Sequence, residues 1–248
     1  MDKDLIIKRI VLERDKIESF DKYPFNIEII KNLKEIEFKS KVTFLVGENG
    51  IGKSTIIEAI AVALGLPAEG GTQNFQYKTK NTTSNLSEYL TIETYNKPEM
   101  KFFLRAESFY NFSTEVQRLV EEDGYGQLYK YYGGNLHECS HGESFLNLVK
   151  NRFTPNGLYI LDEPEAALSP QNQLKLMVLI DRFAKKGSQF IIATHSPFIL
   201  GYRDARIINL DEGMREITFK QTSIYNLYRH FLDNPNEYQK MLFDEEDC

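Results

Sequence analysis

The chain has 248 residues, 42% of them hydrophobic and 27% charged, and its 30 Lys and Arg against 36 Asp and Glu leave a net charge of −6. That length suits one α/β domain with a sizeable core, and the acidic balance speaks against non-specific nucleic-acid binding. No apolar run is long enough to cross a bilayer, the N-terminal MDKDLIIKRIVLERDK has no signal-peptide core, and Cys139 and Cys248 lack metal-ligand spacing, so a cytoplasmic chain without membrane insertion, disulfides or structural zinc is expected.

In chain order, 5–12 and 41–46 are rich in β-branched and apolar residues and predict strands. A glycine-rich turn follows the second. Ile56, Ile57, Ile60, Ala61 and Leu64 then recur at helical spacing, with a stop signal in Gly65 and Pro67. Lys31, Lys34, Lys39 and Lys41 alternate with Glu35 and Glu37 and read as a solvated face rather than a phosphate-backbone patch. The polar stretch 69–87 predicts a surface loop, 90–95 and 101–106 predict strands, and 113–122 predicts a helix followed by a loose segment at 124–144. A helix at 144–152, a buried strand at 158–161, an amphipathic helix at 170–186 and a strand at 189–194 come next. The tail offers strands at 205–210 and 216–220, a turn at 211–213, one or two helices within 223–242 and an acidic end at 244–248. Strands alternating with helices predict a single α/β domain over 1–248 with a mainly parallel sheet covered on both faces, and 68–140 is its variable part.

The segment GENGIGKS, 47–54, fits the phosphate-loop pattern after a strand and before a helix. Gly47, Glu48, Asn49, Gly50, Ile51 and Gly52 would turn backbone N–H groups inward as an anion nest, reinforced by the helix N-terminus. Lys53 is expected on the β- and γ-phosphates, Ser54 on Mg²⁺ and Thr55 on the α-phosphate. LYILDEPE, 158–165, delivers two acids at the end of an apolar strand. Asp162 is expected to hold the metal's hydration shell, and Glu163, on the other side of the strand, to polarise the attacking water.

Three further strings resemble family elements. SHGES, 140–144, resembles the signature loop of ABC ATPases, with Ser140, Gly142 and Glu143 matching and His141 in place of the usual glycine. An ordinary capping box made by Ser140 and Glu143 is equally sound physics, and both can hold together. ATHSP puts His195 just past a buried strand, where it matches the family's switch histidine, which senses the γ-phosphate and orients water. AALSP, 166–170, resembles the loop that crosses the dimer interface, with Ser169 where the family commonly has aspartate. The family's glutamine at a strand end has no clear match; Glu107 stands near that place as a candidate for the metal or its water, with Gln73 and Gln117 as rivals.

The order of phosphate loop, signature, acid pair and histidine resembles compact stand-alone ABC-type, AAA-family ATPases related to chromosome-maintenance and DNA-repair heads. The stretch between Lys53 and Ser140 is too short for the coiled coil that interrupts those heads. The resemblance implies an ABC head with a parallel sheet, an antiparallel β portion and a small helical signature lobe. It implies MgATP hydrolysis at Glu163 and His195 by an ATP-dependent homodimer, each nucleotide lying between one copy's phosphate loop and the other's signature. The output would pass to a partner protein, such as a nuclease, or to DNA, in repair or phage defence. Two alternatives stay open: the nucleotide-binding subunit of a membrane transporter, and an ATP-gated scaffold without turnover.

Overall fold

The computed structural model describes residues 4–71, 84–107, 118 and 141–243. Two sheets form. The smaller is antiparallel, with β1 (Ile7–Leu12) between β2 (Glu35–Glu37) and β4 (Leu90–Thr94). The larger contains β3 (Val42–Val46), β5 (Met100–Arg105), β6 (Gly157–Asp162), β7 (Gln189–Ala193), β8 (Arg206–Asn209) and β9 (Arg215–Ile217). Its order is β5-β6-β7-β3-β8-β9, parallel except for the antiparallel β8-β9 edge.

The helices are α1 (Glu28–Asn32), α2 (Lys53–Ala63), α3 (His141–Arg152), α4 (Pro170–Ala184), the short α5 (Pro197–Leu200), α6 (Ser223–Asp233) and α7 (Pro235–Phe243). Every residue of β3, β6 and β7 is buried. Side chains alternate along a strand, so each of these strands feeds two cores. Phe44, Tyr159, Leu161, Phe190 and Ile192 join Phe145 and Leu148 of α3 and Leu176 and Ile180 of α4. Leu45, Leu158, Ile160 and Ile191 join Ile56, Ile57 and Ile60 of α2, together with the apolar side of the small sheet. Helix α2 therefore lies between the sheets, and even-numbered positions of β6 face it. Burying each such side chain contributes about 1.5–3 kcal/mol.

The small sheet is tied to the large one by a buried amide. Gln189 on β7 accepts from the backbone N–H groups of Ile6 and Ile7 at 2.8 and 2.7 Å, and its amide nitrogen donates to the Ile7 carbonyl at 3.3 Å.

The mainly parallel sheet flanked by helices and the antiparallel portion agree with the sequence reading, and the four lysines of 31–41 are exposed or partly so. Some expectations differ. Residues 28–37, for which no element was expected, form α1 and β2, because Ile29, Ile30, Leu33 and Ile36 turn inward while the charges stay out. The loop expected to run to residue 87 gives way to a 3₁₀ turn at Asn85–Tyr89, anchored by the fully buried Leu86. Helix α3 begins three residues earlier than expected, so His141, Gly142 and Glu143 form its first turn instead of preceding it. The strand expected at 216–220 stops at Ile217 and a 3₁₀ turn follows at Phe219–Gln221. Pro235 opens α7 and divides the C-terminal helical stretch in two. The helix expected at 113–122, the acidic end 244–248, Gln73, Gln117 and Ser140 lie outside the described residues, apart from Arg118.

Candidate nucleotide site

The strand order β6-β7-β3 fixes the site. All three strands are parallel, so the segments leaving their C-terminal ends converge on one edge: the acid pair from β6, His195 from β7 and the phosphate loop from β3. This is the edge at which open α/β sheets bind ligands.

In the phosphate loop, Gly52 has φ +109 as the residue before α2, and a Cβ there would lie 3.1 Å from methyl groups of both Ile27 and Ile29. Both backbone shape and space require glycine at that position. The first N–H groups of α2 have no carbonyl one turn back within the helix and are free to take an anion. The Lys53 ammonium donates to the Gly47 and Glu48 carbonyls at 2.7 and 2.8 Å, arching over its own loop. Burial lowers its pKa, opposed by the field of Glu163, Asp211, Asp162 and Glu165. The loop is anchored from β8: both carboxylate oxygens of Asp211 accept from the Glu48 N–H, at 2.9 and 3.2 Å.

Asp162 is an even-numbered residue of β6 and so faces α2, where the Ser54 hydroxyl donates to its Oδ1 at 3.2 Å. Its other oxygen accepts from Nε of Arg105, its register partner on β5, at 3.1 Å, and Arg105 Nη1 donates to Glu58 of α2 at 3.1 Å. With Asp162 4% exposed and Arg105 18%, the three make a largely buried acid–arginine–acid chain. Burial still raises the Asp162 pKa, outweighing Arg105. The Ser54 hydroxyl and the Asp162 carboxylate are hard oxygen donors on one spot, which suits Mg²⁺, an ion that takes few protein ligands and completes its shell with phosphate and water. Among the described residues no group of three acids, histidines or cysteines gathers to hold a metal alone. Glu107 is exposed, two residues past Arg105.

Glu163 turns away from its strand with φ +48, after its N–H has paired with the Ala193 carbonyl at 3.0 Å. It begins the 3₁₀ turn at Pro164–Ala167 without a side-chain cap, so its carboxylate is free for other work. Glu163 Oε1 lies 3.8 Å from Nε2 of His195, a nitrogen that is buried and without a hydrogen-bond partner among the described residues. Burial, and next the Lys53 charge, lower the His195 pKa, so the ring faces Glu163 neutral at pH 7.

Residues that local pattern did not single out complete the arrangement. Glu165 accepts a hydrogen bond from the His195 backbone N–H through Oε1. Gln173 on α4 accepts from the Ser196 hydroxyl at 2.5 Å and donates to the Leu168 carbonyl at 3.0 Å. Arg105, Glu58, Asp211, Glu165 and Gln173 gain their roles from strand neighbours or from segments distant in the chain. Only the register of β5 against β6 could have pointed to Arg105. In the signature region, Gly142 is buried, and a Cβ there would meet the Asn172 amide at 2.9 Å and the Ala167 carbonyl at 3.1 Å. Gly142 thus abuts the 166–170 loop of its own chain. Ser169 caps α4, accepting from the Asn172 N–H at 3.3 Å.

Residues 16–152 match the family model described as AAA domain. The chain belongs to this family. A second AAA-domain model, whose description names the AbiEii toxin of a type IV toxin–antitoxin system, matches residues 145–201. A Bacillus cereus protein designated an ABC transporter ATP-binding protein is 24% identical over 98% of this chain and 48% of its own length. The cytochrome c biogenesis ATP-binding export protein of Rickettsia bellii is 28% identical over 72% of this chain and 92% of its own. The chain thus spans about half the length of the Bacillus relatives it matches. Among solved structures, cbiO1 from Clostridium perfringens, part of the ABC transporter complex cbiONQ, is 18% identical with a TM-score of 0.48 over 95% of this chain and 99% of that one. The SMC head domain from Thermotoga maritima is 19% identical with a TM-score of 0.43 over 82% and 95%. Motifs and relatives together identify an ABC-type P-loop ATPase domain.

Proposed function

We propose that the domain binds MgATP on residues 47–55 and hydrolyses it between two copies of itself. The observation that carries this reading is the single sheet edge that gathers Lys53, Ser54, Asp162, Glu163 and His195, with Glu163 and His195 at 3.8 Å. Lys53 would exchange the Gly47 and Glu48 carbonyls for β- and γ-phosphate oxygens, and the N-terminus of α2 would hold the remaining charge. Ser54 would hold Mg²⁺ directly and Asp162 would hold its hydration shell, and the bound ion would supply charge neutralisation on the phosphates. Glu163 takes a proton from the attacking water as its oxygen bonds to the γ-phosphorus and the bond to the β-γ bridging oxygen breaks, releasing ADP and phosphate. Neutral His195 orients that water and the γ-phosphate. Ser140, Gly142 and Glu143 of the second copy would complete the anion cradle, with Glu107 near the metal's water.

Replacing Glu163 by Gln removes the base while keeping shape and hydrogen bonding. Phosphate release should fall about 10²–10⁴-fold with ATP binding retained, and the variant should accumulate as an ATP-bound dimer. Unchanged turnover would end the hydrolytic reading, and a monomer with bound MgATP would end the shared site. The output goes to a partner protein, such as a nuclease, or to DNA. A second reading, the ATP-binding subunit of a transporter, is favoured by the names of the relatives, among them the zinc import ATP-binding protein of Vibrio vulnificus, 32% identical over 58% of this chain and 52% of its own length. Proteins that co-purify with the trapped Glu163→Gln dimer separate the two: nuclease or DNA supports the first, a membrane subunit the second.

A further inference from the structure

We infer that Glu165 and Gln173 form a clamp that fastens the switch loop carrying His195 to the 166–169 loop, and that this clamp transmits contact with a second copy to the water-orienting histidine. The inference rests on the two-copy reading above. The 166–169 loop is the one that carries Ser169 where the resembling family commonly has aspartate.

Two consecutive residues of the switch loop are held, each by a different side chain. The His195 backbone N–H is bonded by Glu165, and the Ser196 hydroxyl donates to Gln173. Glu165 belongs to the 3₁₀ turn at Pro164–Ala167, and Leu168 donates its N–H to the Glu165 carbonyl at 2.8 Å. Gln173 uses its amide nitrogen on the Leu168 carbonyl, so one amide spans the two loops. Its orientation is fixed by chemistry, because a carbonyl takes only a donor and the Ser196 hydroxyl oxygen already accepts from the Ile199 N–H at 3.1 Å. The switch loop has little freedom of its own: the Ser196 N–H is bonded to Thr194 Oγ1 at 3.0 Å, and Thr194 and Ser196 are buried.

The other side of the 166–169 loop meets the signature turn, where the Ala167 carbonyl and Asn172 leave no room for a Cβ on Gly142. A shift of this loop at a contact with another copy therefore has two attachments through which to move His195 against Glu163, and the signature turn moves with it. A role confined to capping α4 would explain the Leu168 bond of Gln173. It would not explain the Ser196 bond, made across 23 residues of chain.

The test compares Gln173→Met, which keeps length and loses both bonds, Gln173→Glu, which can still accept from Ser196 but opposes a carboxylate to the Leu168 carbonyl, and Gln173→Ala as a second truncation. Phosphate release is measured against ATP concentration, ATP affinity by equilibrium binding, and the His195 imidazole by NMR in nucleotide-free protein. The clamp predicts that Gln173→Met and Gln173→Ala turn over on the order of tenfold more slowly. Their ATP affinity should stay within about twofold and their Hill coefficient should fall toward one, with a shifted His195 signal. Gln173→Glu should lose cooperativity while its His195 signal stays near that of the wild type. Wild-type turnover, cooperativity and His195 signal in all three variants, while Glu163→Gln abolishes turnover, would overturn the clamp and leave the hydrolytic reading standing. If the wild type itself hydrolyses no ATP, that reading fails, and the His195 signal alone judges the clamp: a shift in Gln173→Met upholds the attachment, no shift removes it.

Discussion

At the carboxyl edge of the large sheet, charged groups are buried and held by one another; along the C-terminal hairpin α6–α7, large apolar side chains face outward. Asp162, Arg105 and Glu58 lie between 4% and 18% exposed, whereas Leu227, Phe231, Leu232, Met241, Leu242 and Phe243 are all at least 45% exposed and neither hairpin helix has a buried residue. The hairpin is fixed to the body at its root, by the Thr222 cap on Tyr225 and the edge-to-face contact of Phe219 with Tyr225, and to itself by Phe231 and Tyr238. The difference teaches where stability and function reside. The edge keeps ionisable groups in a low-dielectric setting that shifts Lys53, His195, Asp162 and Glu165 toward their neutral forms, an arrangement typical of sites that do chemistry. The hairpin contributes little to the core that supports that edge.

Substitutions can break this contrast, beginning with the largest effect. Arg105→Met leaves Asp162 and Glu58 without their common partner and should cost about 3 kcal/mol of stability in urea unfolding. Adding Asp162→Asn should return part of the loss, and equal losses for the single and double variants would show that the chain of charges is not what holds this edge. Gly52→Ala puts a β-carbon at φ +109 against Ile27 and Ile29, and about 1–3 kcal/mol should disappear together with nucleotide binding, read by calorimetry.

The third effect depends on pH. The His195 pKa is lowered from the usual 6.5, so below 6.5 the unfolded chain takes up this proton first. The stability that neutral His195 contributes is complete above 6.5 and is lost as pH falls from there toward the folded-state pKa. The wild-type melting temperature should therefore drop more than that of His195→Gln between about pH 7.5 and pH 5.5, and parallel curves would refute the assigned environment. The smallest effect belongs to the hairpin: Leu232→Ala, at a side chain 72% exposed, should change stability by no more than about 0.5 kcal/mol, and a larger loss would mean that the hairpin is part of the core after all.

What the sequence made legible follows the same division. The runs VTFLV, LYIL and QFIIA are almost wholly apolar, as strands covered on both faces tend to be, and the glycine-rich and acidic segments behind them identify themselves by type and spacing. The main sheet and the principal site residues could be read for that reason. Arg105, Asp211 and Gln173 could not, because an arginine at a strand end, an aspartate in a turn and a glutamine on a helix are ordinary until strand order and register bring Asp162, Glu48 and Ser196 to them. Residues 28–37 were half-legible, since their charges drew attention away from four apolar residues that pack inward.

The buried amide of Gln189 carries a consequence for how the molecule assembles. It bonds to Ile6 and Ile7 across 183 and 182 residues of chain, and it sits on the strand that must slip between β6 and β3 before their loops can face one another. Contacts of such long sequence separation form slowly, because loop closure precedes any gain from them. The strand β1 therefore settles only once β7 is in place, and an incompletely folded chain can present a phosphate loop without presenting a catalytic edge.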